Sequence, residues 1–351
     1  MAGALMGLLG ACAPEDELPL PPVVWEGESV RVRMDDPAIE VCGGTFEALD
    51  RHAALVREAL LLEGDGVVEY SIGDQDFVDA ACDLISVAGC TVPTKGYVFT
   101  TIPMHEHEIV HAVRVLDPKL TLSSSPLEEG LATMFGGDRL DDEAPVLDPS
   151  IILVDEQIHG ALEYYHAGQT IALLLERHGV DAFRRFDTRA STVAEDEAFV
   201  AAFGESKEQF VVAIENTTYC EQSQWWAPLL ECDVEPATAD PLTNGLVLSG
   251  NLGCGETNVY GPRAGRMWTS QHFRLDQRTS ILNYRIDIPE DATLEIIACQ
   301  GGCPERFAYI GTSNEVGSVL NGLPALEPGA YLLRLSRPFN DDTGHFEVVI
   351  M

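Results

Sequence analysis

The sequence predicts an α+β chain in two parts: a small sheet with a mostly helical C-terminal half over residues 25–240, then an all-β antiparallel sandwich over 241–351. Three observations lead there. Apolar residues recur at helical spacing through "GTFEALDRHAALVREALLL" and "YHAGQTIALLLERHG". The texture breaks at "DVEPATADPLTNG", residues 233–245, where turn formers replace periodic segments. Beyond the break, the short alternating runs "NYRIDI", "TLEIIA", "YLLRL" and "HFEVVI" are separated by Gly, Pro and Asn turns, as in a sheet half covered by a core.

Taken in order, "MAGALMGLLGAC" (1–12) is a short apolar run ending in small residues and Cys12. It resembles a bacterial lipoprotein signal with Cys12 as the lipidated residue, although no Lys or Arg precedes the apolar run. Export is expected, to the outer membrane, cell surface, periplasm or medium, with a lipid on Cys12 as the sole membrane contact. Residues 13–24, "APEDELPLPPVV", read as an extended tether. "VRVRM" from Val30 reads as the first strand, and "GVVEYSI" and "GYVFTT" as two more. Between them Phe46, Leu49, Ala53, Val56 and Leu60 share a helix face with Thr45 as its N-cap. Helices dominate from about 105 to 218. One closes on Gly179, and "TVAE" at Thr192 and "SKEQ" at Ser206 read as capping boxes for two others. In the last part, Tyr284, Ile286 and Ile288 are expected to face one way and Arg285 and Asp287 the other.

With 46% hydrophobic residues among 351, the chain has ample material for two buried cores. Its net charge of -36 repels polyanions and excludes nucleic acid as a partner class. Only Lys95, Lys119 and Lys207 are lysines, so there is no polybasic patch for anionic lipid. Setting Cys12 aside leaves eight cysteines, an even number suited to disulfides in an oxidising compartment. Cys82–Cys90 and Cys299–Cys303 are the local pairings that spacing suggests.

The chemistry concentrates in "MHEHEIVHAVRV", residues 104–115. His107-Glu108-Ile109-Val110-His111 is an H-E-x-x-H motif: on a helix both imidazoles face the same way and can hold one zinc ion, with Glu108 directed at its water. Nine histidines in the whole chain make a chance match rare. Downstream, "SSSPLEEGLATMFGG" opens a helix with Ser125 as N-cap, Pro126 first and Glu128 third. Glu128 is then expected to reach back to the cap, while Glu129, about 100° further round, is free to face the metal. Glu128 remains the second candidate ligand. His105, just ahead of the helix, reads as an exposed loop residue. His159 and His166 are minor candidates for an oxyanion contact, and Trp225-Trp226 reads as a buried contact rather than a binding surface.

H-E-x-x-H followed by E-G-L-A resembles the gluzincin metallopeptidases, also called peptidase MA-like. The resemblance spans about residues 95–215 and implies Glu129 as the third zinc ligand beside His107 and His111. The interval of seventeen residues between His111 and Glu129 is one shorter than in the aminopeptidase N branch. "EYYHAGQTIALLLERHG" is similar to the family's later helix, where a Tyr steadies the developing oxyanion. Counting back from Gly179 selects Tyr164, and from Gly168, Tyr165. "LEPGAYLLRLSRPFNDDTGHFEVVI" loosely resembles the last strands of pre-peptidase C-terminal domains. The family implies hydrolysis of peptide or protein substrates by a zinc-activated water with Glu108 as general base. The rival readings are a degenerate peptidase-like lipoprotein that only binds, and an adhesin acting through the sandwich.

Overall fold

The computed structural model describes residues 20–82, 87–92, 95–120, 124–136, 147–153, 158, 161–190, 192–215, 232, 246–278, 282–287, 292–300, 307–313, 318–319, 326–339 and 343–350. The signal at 1–12 with Cys12, most of the tether, His159, Cys220, Trp225-Trp226, Cys303 and the break at 233–245 lie outside them. The chain is α+β and divides into two compact units, Met1–Ile39 with Leu49–Thr217, and Glu40–Ala48 with Thr218–Met351.

The first unit holds a five-stranded sheet. Its strands are β1 (Val23–Glu26), β2 (Val30–Met34), β3 (Val68–Ile72), β4 (Gly89–Val92) and β5 (Tyr97–Thr100), in the order β1-β2-β3-β5-β4. β2, β3 and β5 run parallel, and each edge strand is antiparallel to its neighbour. β1 corrects the tether, which contains its first two residues. Pro21 and Pro22 suggest a spacer, but the strand after them pairs with β2 through an irregular register that no local pattern reveals.

Helix α1 (Thr45–Ala59) buries Leu49, Ala53 and Val56, as the spacing predicts. Thr45 is not its side-chain cap. Its hydroxyl, within the second unit, donates to Gly261 O at 2.8 Å and accepts from Gly261 N at 3.0 Å, which satisfies it elsewhere. Helix α2 (Gln75–Cys82) was not anticipated. It packs Val78, Ala81 and Cys82 on Phe99, and the expected Cys82–Cys90 disulfide ties it to β4.

Helices α3 (Glu106–Val115), α4 (Ser125–Gly136), α5 (Ala161–His178), α6 (Val180–Ala190), α7 (Glu195–Phe203) and α8 (Lys207–Ile214) follow, with a 3-10 turn at Pro149–Leu153. Phe183, Phe186, Phe199, Phe203 and Phe210 interlock between α6, α7 and α8 with ring centroids 4.6 to 6.4 Å apart, close enough for edge and offset packing. Ser206 and Gln209 form the expected capping box. Thr192 does not: its hydroxyl donates to Arg189 O behind it, and α7 starts on Ala194 without a side-chain cap. The Glu195 carboxylate instead accepts from Ser124 N at 2.7 Å and from Lys207 Nζ at 2.6 Å, since a buried ammonium outbids a neutral cap.

The second unit is two antiparallel sheets. One has the order β11 (Phe307–Ser313), β10 (Ala292–Ala298), β13 (Gly329–Pro338), β8 (Arg266–Leu275), β7 (Tyr260–Arg263). The other is β12 (Ser318–Val319), β9 (Leu282–Asp287), β14 (Gly344–Ile350), β6 (Leu246–Leu252). Leu248, Leu252, Phe346 and Val348 from the second sheet share a core with Met267, Phe273, Ile296 and Leu333 from the first, which makes the pair a sandwich. The facing of the β9 side chains lies outside what is described. Cys42–Cys254 brings 40–48 into this unit, and Cys42 N and Gly43 N add main-chain bonds to Gly261 O and Cys254 O. Cys299 pairs with Cys232, correcting the expected Cys299–Cys303 bridge: proximity in the fold, not spacing along the chain, selects the partner.

Candidate metal centre

The first unit's sheet sets the start of α3. The Tyr70 hydroxyl on β3 accepts from His105 N at 2.9 Å and donates to Ile102 O at 3.0 Å, pinning the loop between β5 and the helix. Burial pushes the Tyr70 phenol well above its ordinary range, so it stays a neutral donor. His105 is half-buried rather than exposed, and its Nδ1 lies 2.9 Å from Thr100 Oγ1.

One turn apart on α3, His107 and His111 bring their Nε2 atoms to 3.2 Å. Glu129 on α4 completes a triangle, its Oε2 lying 3.0 Å from His107 Nε2 and 3.3 Å from His111 Nε2. Four ligands at about 2.0–2.1 Å around tetrahedral zinc are about 3.3 Å apart, so three of these corners fit one such ion and leave a fourth open. These three residues are the metal-capable cluster among the described residues. Burial opposes ionisation of Glu129, yet the imidazoles beside it outweigh burial and hold its carboxyl well below the usual range. Burial likewise opposes charge on His111, and Glu129 overcomes it to raise that imidazole.

Close helix contacts make the triangle possible. A Cβ on Gly136 would sit 2.7 Å from His107 Cα, and one on Gly130 would sit 2.8 Å from Ala167 O. Both positions demand glycine because α4 packs tightly on α3 and α5. α4 begins one residue earlier than expected, with Ser124 O accepting from Leu127 N and Glu128 N, while Ser125 Oγ accepts from Ile158 N. Glu128 corrects a second expectation, since its carboxylate takes Arg114 Nε at 2.9 Å and Nη2 at 2.7 Å rather than reaching back to a cap. The same guanidinium donates to Asp187 on α6 at 2.8 and 3.3 Å. Burial lowers the Arg114 pKa, but the two carboxylates beside it outweigh burial and raise it. Burial pushes the Asp187 carboxyl up, against the pull of Arg114.

Glu108 is buried on α3, and its Oε2 accepts from Thr91 Oγ1 at 2.8 Å. Tyr164 and Tyr165 part company: the Tyr164 ring lies 5.8 Å from that of His107, whereas Tyr165 is buried beside His166. His166 Nδ1 accepts from Asp148 N, and burial lowers its pKa despite nearby Asp148. Arg114, Asp187 and Thr91 were missed by sequence reasoning. For Arg114 a signal existed: it stands seven residues after His107, hence on the same helix face, where a cation needs a buried carboxylate.

No protein-family profile matches the chain, and no curated protein matches it. Among solved structures, the pre-peptidase C-terminal domain of collagenase from Bacillus anthracis is 14% identical, covering 33% of this chain and 92% of that one at a TM-score of 0.23. PliG, a periplasmic inhibitor of g-type lysozyme from Aeromonas hydrophila, is 16% identical, covering 33% and 96% at 0.22. Scores this low carry nothing further about fold or function.

Proposed function

We propose that this protein is an exported, zinc-dependent metallopeptidase of gluzincin type. The observation that carries the reading is the triangle of His107 Nε2, His111 Nε2 and Glu129 Oε2, with edges of 3.0 to 3.3 Å. Zinc held by His107, His111 and Glu129 would supply a water acidic enough to ionise near neutral pH and a Lewis acid for the scissile carbonyl. Glu108 receives a proton on the oxygen that Thr91 does not engage and passes it to the departing amine nitrogen. Tyr164 donates from its hydroxyl to the carbonyl oxygen as negative charge grows there. Arg114, held by Glu128 and Asp187, keeps α3 and α4 in the register that brings the ligands together.

Three disulfides among the described residues, Cys42–Cys254, Cys82–Cys90 and Cys232–Cys299, support an oxidising compartment. A lipid on Cys12 is the membrane contact in this reading, peptide or protein is the substrate, and the acidic surface argues against nucleic acid. The sandwich is an accessory domain of the pre-peptidase C-terminal kind.

Metal analysis of the purified protein, with cleavage-site mapping on a peptide library, tests this. About one zinc per chain is expected. Glu108→Gln should keep the zinc and lose about 10²- to 10⁴-fold in hydrolysis. Undiminished hydrolysis by Glu108→Gln overturns the assignment, and a zinc-loaded wild type without hydrolysis favours the binding-only lipoprotein.

A further inference from the structure

We infer that Thr91 is a positioning residue for Glu108, selecting which carboxylate oxygen of that base faces the reaction; this rests on the peptidase reading above. Thr91 sits on the edge strand β4, opposite Val98 of β5 in the ladder. Side chains alternate along a strand: Cys90 and Val92 pack towards the cluster of Val78, Cys82 and Phe99, and Thr91, between them, turns the other way and meets α3. Its hydroxyl lies 2.8 Å from Glu108 Oε2 and 3.0 Å from Glu108 O. A threonine hydroxyl has one proton to give, and a carboxylate oxygen draws it more strongly than a neutral carbonyl does. Oε2 is therefore engaged, and Oε1 is the oxygen left, in this proposal, for the reacting water.

Two features make this contact stiff. A β-branched side chain on a strand has few χ1 options, and the Cys82–Cys90 disulfide clamps the preceding residue to α2. A glutamate side chain with three rotatable bonds would otherwise have to be ordered during each turnover. Thr91 does that ordering in advance.

The test uses the full chain as wild type, Thr91→Val, Thr91→Ser and Glu108→Gln. Valine keeps the shape and removes the donor; serine keeps the donor. Thr91→Val should lower kcat about 10- to 100-fold with KM within about twofold and full zinc content, and Thr91→Ser should restore kcat to within about threefold of wild type. A readout independent of turnover is the Glu108 carboxylate stretch, isolated by subtracting the Glu108→Gln infrared spectrum. Loss of its hydrogen bond in Thr91→Val should shift that band in both metal-free and zinc-loaded protein.

A Thr91→Val protein with wild-type kcat and an unmoved band overturns the role of Thr91 while leaving the peptidase reading intact. So does a Thr91→Ser protein as slow as Thr91→Val. A wild type with no zinc-dependent hydrolysis removes the peptidase reading, and Thr91 as a positioning residue with it.

Discussion

Both units bury an arginine, and the two are used differently. Arg334 on β13 faces Glu295 on β10 across adjacent strands, at 3.4 Å, and lies 5.8 Å over the Trp268 ring. Those residues are register partners, so the main-chain ladder has already brought them together. Arg114 spans three helices through Glu128 and Asp187, and helices have no ladder between them. In the sandwich the charge pair decorates a geometry set by the backbone. In the helical region the charges themselves set the geometry, and Glu129, which completes the candidate ligand triangle, is the residue next to Glu128.

That contrast can be broken by removing one carboxylate from each. Asp187→Ala should cost about 3–5 kcal/mol in equilibrium denaturation, as expected when a buried pair loses a partner, and should weaken zinc binding in chelator competition. Glu295→Ala should cost less, about 1.5–3 kcal/mol, and leave zinc affinity unchanged. Equal weakening of zinc by both variants would erase the distinction. A smaller effect separates the two tyrosines. Tyr164→Phe should reduce kcat about 10- to 100-fold with little change in stability, whereas Tyr165→Phe, on the buried face, should move the melting temperature more than kcat.

The smallest effect is in pH. In metal-free protein Glu129 is depressed, so its stabilising contribution is present above its ordinary 4.5 and is lost as pH falls towards the lower folded value. His111 is raised, so its contribution is full below its ordinary 6.5 and is lost as pH rises through the higher folded value. Zinc must displace the His111 proton and is favoured in the opposite direction. As pH rises from about 6.5 through the raised His111 value, the melting temperature of chelated protein should fall while zinc uptake rises; parallel slopes would sink the assignment of His111 as a ligand.

What was legible in the sequence were features local to one element. Helical periodicity puts His107 and His111 on one face with Glu108 beside them, whereas setting Glu129 apart from Glu128 rested on a cap that Glu128 does not make, its carboxylate being held by Arg114. Short elements and distant partners were not legible. β4 is four residues, Gly-Cys-Thr-Val, too brief to carry a pattern, so Thr91 had no visible role. Asp187 is 73 residues from Arg114, and Cys232 is 67 from Cys299. Capping signals shared this limit: Ser206 and Gln209 complete their box within α8, while Glu195, with the same local credentials, was claimed by Lys207 and Ser124.

Cys42–Cys254 closes a loop with a sequence separation of 212, and Cys232–Cys299 closes one that overlaps it. Every residue of the candidate centre, from Thr91 to Asp187, lies on the enclosed stretch. On the proposed peptidase reading, copies at high concentration are substrates for one another. A single cut anywhere between residues 42 and 299 nevertheless leaves the pieces covalently joined, so a nicked molecule would run as two fragments only after reduction and could keep both halves of its ligand set together.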